Sequence, residues 1–217
     1  LTRIQEEPLT MFIPTLSKEY PVKIIGVCDA GMSDKSTWEC GQEGRLVGLG
    51  EDRSGEGSSD KIGGKIGVCH VKSGKFRRVT SGSFAGESVA AHSTQGVMLK
   101  LRNIVEEFQF GVRPGYSERM WREQTTGEVD SHHAIRMELY TDSKGVSTCI
   151  HGSFNRSNIE GRRVEDLIDL RECVQFDNLT IYHIHGKSNP TDALTKCHTK
   201  CTHTKPILRA LLETGIY

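Results

Sequence analysis

Four acidic residues, Asp29, Glu87, Asp142 and Asp192, are the side chains of this sequence best placed to do chemistry, because each falls where a strand is expected to end or a helix to begin. Carboxylates drawn together from such distant segments repel one another unless cations neutralise them. Two divalent metal ions are the natural neutraliser, and all-oxygen donors suit Mg²⁺, with Mn²⁺ as an alternative. Singly, each acid has a plainer reading. Asp142 fits a helix N-cap, Asp192 a cap or early helical position, and Glu87 a counter-charge for the positive end of its helix. The metal reading rests on all four occurring in this order.

The elements that carry these acids follow from periodicity. Residues 1–20 form a lead-in segment, with Pro8, Pro14 and Pro21 interrupting any regular element. Val22 to Cys28 is rich in β-branched side chains and delivers Asp29 at its carboxyl end, the profile of a buried strand. Arg45 to Leu49 and Lys65 to Val71 continue as a meander. Between them the Gly-, Ser- and charge-rich stretch 51–64 reads as a mobile insertion. From Ser83 to about Phe108 the positions Phe84, Val89, Val97, Met98, Leu101, Ile104, Val105 and Phe108 recur at helical spacing, with Glu87 in the first turns. Ala134 to Thr141 alternates as a strand, hands over to Asp142, and precedes a short helix toward Ile150. A further helix fits Arg163 to Val174, a last strand Leu179 to His185, and Asn189 to Lys196 opens another helix. The order βββ-α-β-α-α-β-α predicts an α/β domain over 21–196, with a mixed five-stranded sheet flanked by helices, and a C-terminal helical tail over 197–217.

With 217 residues the chain is long enough for one domain with a substantial core. Its 28 basic and 28 acidic residues cancel, so contact with nucleic acid must come from a local patch. Seven scattered cysteines make an odd set and predict reduced thiols in an intracellular, non-secreted protein rather than a disulfide scaffold. No apolar run approaches the length that crosses a bilayer, so no membrane partner is expected. The crowded cluster Cys197-His198-Thr199-Lys200-Cys201-Thr202-His203 fits no standard zinc-finger spacing. No set of nucleophile, base and orienting residue stands out, Cys28 beside Asp29 included.

Four segments carry a resemblance: Cys28-Asp29-Ala30, the run from Lys75 through Gly82-Ser83-Phe84-Ala85-Gly86-Glu87-Ser88, Tyr140-Thr141-Asp142-Ser143-Lys144, and Asn189-Pro190-Thr191-Asp192-Ala193-Leu194-Thr195-Lys196. In order and spacing they resemble the ribonuclease H domain at the end of copia-type LTR retrotransposon polyproteins, over roughly Val22 to Lys196. The resemblance implies a ribonuclease H-like fold and hydrolysis of the RNA strand of RNA/DNA hybrids with two Mg²⁺ ions. Such ions, about 4 Å apart, relieve charge on attacking and leaving oxygens and activate water. It implies further that Asp29 bridges both ions, that Asp192 completes the site of the water-activating ion, and that Glu87 and Asp142 hold the ion on the leaving-group side. The implied partners are an RNA/DNA hybrid and the reverse transcriptase portion of the same polyprotein, in the cytoplasm, a virus-like particle or the nucleus.

Lys75, Arg77 and Arg78 before the long helix, and Lys144 after Asp142, place cations where phosphates of a hybrid would run. A hybrid would be recognised by backbone shape and 2′-hydroxyls rather than base sequence. His185, which with His183 falls inside the expected last strand, is the candidate auxiliary group for product release. Two other classes stay open: an inactive or repurposed module that binds nucleic acid or protein without cutting, and a related two-metal DNA nuclease or integrase.

Overall fold

The computed structural model describes residues 11–31, 41–53, 64–76, 82–110, 135–152, 161–196 and 202–217. β1 (Val22–Gly31) is the middle strand: it pairs antiparallel with β2 (Gln42–Glu51) on one side and parallel with β4 (Met137–Thr141) on the other. β3 (Ile66–Lys75) extends the antiparallel half and β5 (Leu179–His183) the parallel half, giving the order β3-β2-β1-β4-β5. Parallel neighbours need long crossovers. These run through α1 (Ser83–Phe110) before β4, and through α2 (Lys144–His151) and α3 (Gly161–Phe176) before β5. The single-turn α4 (Asp192–Thr195) and then α5 (Thr204–Thr214) follow. The mixed five-stranded sheet flanked by helices is the α/β architecture expected from the sequence.

β1 shows why both sheet faces are covered. Side chains alternate along a strand. Ile24 and Cys28 enter one buried cluster with Ala90 and Met98 of α1, Val146 of α2 and Leu167 and Leu170 of α3. Ile25 and Val27 enter a second cluster with Leu46, Tyr140 and, from α5, Leu211 and Leu212. Complete burial of a Leu or Ile side chain contributes about 1.5–3 kcal/mol, so Leu211, which is 0% exposed, is a main anchor of α5. The helix ends at Gly215 with a φ of +66°, where an added Cβ would also meet Pro14 Cδ at 2.6 Å. Conformation and space both require glycine there.

Several borders differ from those expected. β1, β2 and β3 run past Cys28, Leu49 and Val71, because a ladder partner carries each added residue: Gln42 pairs with Gly31 and with Lys75. Lys75 is therefore the last residue of β3, and Asp29 lies two residues inside the end of β1. β4 begins at Met137 rather than at Ala134, which lies outside the described residues. The last strand stops at His183, so His185 lies beyond it. The helix expected from Asn189 shrinks to one turn, since Pro190 has no N–H and Lys196 turns to extended dihedrals (φ −107°, ψ 153°). Of the expected insertion, Glu51 belongs to β2 and residues 54–63 lie outside the described residues. Among the described residues no helix is long and apolar enough to cross a membrane.

Candidate metal centre

Asp29 continues the alternation of Ile25 and Val27, so its side chain lies on their face of the sheet, 1% exposed. The β1–β4 ladder ends at the pair Cys28 and Thr141, and the next residue on each strand is an acid: Asp29 on one and Asp142 on the other. Two parallel strands thus deliver two carboxylates side by side. Asp142 does not cap α2; Ser143 does, its Oγ accepting from the Val146 N–H at 3.4 Å. Asp192 opens α4 and is 6% exposed. One carboxylate oxygen from each of Asp29, Asp142 and Asp192 lies within 4.8 Å of the others. Glu87 approaches from α1, beyond its first turn, where the dipole no longer explains an acid.

The electrostatics are those of acids held together against repulsion. Burial, then the charges of Asp29 and Asp142, push the Glu87 carboxyl up to about 9. The Ala30 N–H donates to this carboxylate, yet its buried Oε2 has no hydrogen-bond partner. Burial also raises Asp29 to about 6, with Asp142 and Asp192 adding to the rise and a hydrogen bond from Thr195 Oγ1 to Asp29 Oδ2 opposing it. Burial raises Asp142 above its usual range, partly offset by Lys196. Partial burial alone would lower Lys196, but its bond to Asp192 and the charges of Asp29 and Asp142 raise it. Its Nζ pairs with Asp192 Oδ1, while Thr204 Oγ1 lies 3.3 Å from Asp192 Oδ2. Three hard oxygen donors within 4.8 Å of one another, with the charge of a buried Glu87 felt beside them, fit a divalent cation.

The last acid reaches β1 through two glycines. A Cβ on Gly31 would lie 2.5 Å from the Thr195 carbonyl oxygen, and one on Gly44 would lie 2.8 Å from that of Thr191. Gly31→Ala forces backbone against backbone, so it is expected to lower stability by about 1–3 kcal/mol. An unchanged denaturant midpoint would show instead that the 189–196 segment yields.

The other expected site residues fare differently. Lys144 is exposed at the start of α2, and Lys75 is exposed at the end of β3, two residues beyond Ser73, whose Oγ donates to Leu194 O at 2.6 Å. Arg77 and Arg78 lie outside the described residues. The ring of His185 accepts from the Lys187 N–H at 3.2 Å. His183 Nε2 lies 3.2 Å from the backbone carbonyl oxygen of Asp142. Cys28 is fully buried, and burial raises its thiol well above the ordinary value, so it offers no ready nucleophile. Thr195, Lys196, Thr204 and Asn189 had no role from sequence. The signal for Asn189 was its spacing to Thr191, because asparagine side chains hydrogen-bond the backbone two residues on.

No protein-family model and no curated protein matches the chain. Among solved structures it is similar to a ribonuclease H1 isolated from compost by a metagenomic approach, with 16% identity, 86% of this chain and 98% of that one covered, and a TM-score of 0.44. The ribonuclease H1 of the halophilic archaeon Halobacterium salinarum is 16% identical, with 79% and 93% covered and a TM-score of 0.45. The protease-reverse transcriptase of prototype foamy virus is 12% identical; the similarity covers 95% of this chain but 22% of that one, with a TM-score of 0.42.

Proposed function

We propose that this protein is a ribonuclease H that hydrolyses the RNA strand of RNA/DNA hybrids with two Mg²⁺ ions, and that it serves as the ribonuclease H part of a copia-type reverse transcriptase polyprotein. The observation that carries this reading is the meeting of Asp29, Asp142 and Asp192 within 4.8 Å, beside a Glu87 oxygen that is buried without a partner. In this reading Asp29, Glu87, Asp142 and Asp192 would hold the ions, with Asp192 serving water activation and Glu87 and Asp142 serving charge relief at the leaving group. When bound, the ions supply charge relief and an activated water.

The chain's own residues do the rest. Thr195 orients Asp29 and Thr204 lies against Asp192, so neither carboxylate must be ordered at the moment of reaction. His183, exposed beside Asp142, is the auxiliary group in place of His185. Exposed Lys75 and Lys144 meet phosphates of the hybrid.

Lys196 favours a second reading. Its ammonium already pairs with Asp192, as it would in an inactive module that binds a hybrid without cutting. Purified protein and its Asp142→Asn variant, incubated with end-labelled RNA/DNA hybrid and with duplex DNA, separate the readings. The nuclease cuts RNA only, needs Mg²⁺ and is silenced in the variant. A folded protein that binds the hybrid equally without Mg²⁺ and never cuts is the binding module.

A further inference from the structure

Building on the two-metal reading, we propose that Asn189 is the positioning residue that fixes Asp192 against Asp29 and so sets the affinity of the cation site they share. β1 is held by ladders on both sides. The segment that brings Asp192 has little regular structure: a three-residue 3₁₀ turn at Gly186–Ser188 and the four residues of α4. Side-chain locks must place it, and Asn189 makes the central ones.

Asn189 is 0% exposed. Its Nδ2 donates to the carbonyl of Cys28, the residue before Asp29, at 3.1 Å. Its Oδ1 accepts from the Thr191 N–H at 3.1 Å and from Thr191 Oγ1 at 2.6 Å. Its own carbonyl accepts from the Asp192 N–H at 3.2 Å. One residue therefore grips the strand just ahead of Asp29 and the backbone nitrogen of Asp192.

The side-chain amide is needed for the bonds to Cys28 and to Thr191, whereas the bond to the Asp192 N–H is made by the main chain. Aspartate would turn an acceptor toward the Cys28 carbonyl and add charge beside the acids. Alanine would leave that carbonyl and the Thr191 hydroxyl without the bonds they make now, and buried groups that lose partners pull the chain to a new arrangement. Carboxylates gripping a cation tolerate little displacement, and removing a residue that orients metal ligands costs about 10–100-fold in metal affinity.

Calorimetric titration of Mn²⁺ into the wild type, Asn189→Ala and Thr191→Val, alongside thermal melts and metal-free hybrid binding, tests this. Asn189→Ala is expected to weaken metal binding by about 10–100-fold. Thr191→Val should weaken it less, because the Thr191 N–H still reaches Oδ1. Hybrid binding without metal should stay unchanged, and excess metal should restore cleavage, which a general loss of folded protein would not allow. A folded Asn189→Ala variant that titrates like the wild type overturns the proposal. Should that variant fail to fold, unaltered affinity in Thr191→Val overturns it equally. Wild-type protein that takes up no metal refutes the two-metal reading and this inference with it, whereas wild-type uptake matched by both variants refutes the inference alone.

Discussion

Asp29→Asn is expected to cut Mg²⁺-dependent hybrid cleavage by about a thousandfold or more, the scale of removing a group at the reacting centre, while raising the melting temperature of the metal-free protein. The two effects have one cause. Asp29 is 1% exposed on β1, and burial with the nearby Asp142 and Asp192 lifts its carboxyl to about 6. Above that pH the folded protein carries a charge it would rather shed, and a tenfold change in proton affinity between folded and unfolded states corresponds to about 1.4 kcal/mol. Asparagine keeps an oxygen to accept from Thr195 Oγ1 and removes the charge, so a gain on the order of 2 kcal/mol is expected in chelator at pH 8. Assay and thermal melt belong on the same preparations. A variant that is both inactive and less stable would mean that Asp29 supports the fold, not a metal.

Metal removal should matter more as pH rises. Unfolded carboxyls ionise near pH 4, but in the folded, metal-free protein Asp29 holds its proton to about 6 and Glu87 to about 9, with Asp142 also raised. Between these limits the folded state binds more protons than the unfolded one, so stability falls as pH increases. The contribution is fully present below the unfolded values. It is lost first through Asp29 and then through Glu87. Divalent metal is expected to reverse the trend by taking the place of the protons, and its binding should release them. Calorimetric melts at pH 5.5, 7 and 8.5, with and without chelator, should show a metal-dependent gap that widens by several degrees. A chelated protein whose melting temperature is flat or rising across that range would refute the coupling of these acids.

The parts of this molecule set by local pattern were legible before the structure. Ile24 and Cys28 against Ile25 and Val27 spell a strand buried on both faces, and Thr141-Asp142 marks the handover from β4. Strand ends were not legible, because Gly31 and Lys75 are in strands only by virtue of their shared partner Gln42. Nor was the choice between the two late histidines. It turns on β5 stopping at His183, just past which the Ile184 N–H still bonds Thr141 O of β4 at 2.9 Å. Asp29, Asp142 and Asp192 meet in the order in which the sequence carries them, with Glu87 outside that trio; the brace of Asn189, Thr195, Lys196 and Thr204 around them depends on two glycines letting backbones touch, which no periodicity encodes.

The placement of α5 over the face that carries Asp29 has a consequence for the growing chain. Leu211 and Leu212, which close the cluster beneath Ile25 and Val27, emerge nearly two hundred residues after β1. Thr195, which bonds Asp29, lies 166 residues after it in the chain, and Asp192 opens the same short helix as Thr195. The acids can crowd together only after the chain through Thr195 has been made, and the apolar cluster beneath Ile25 and Val27 closes only after Leu212.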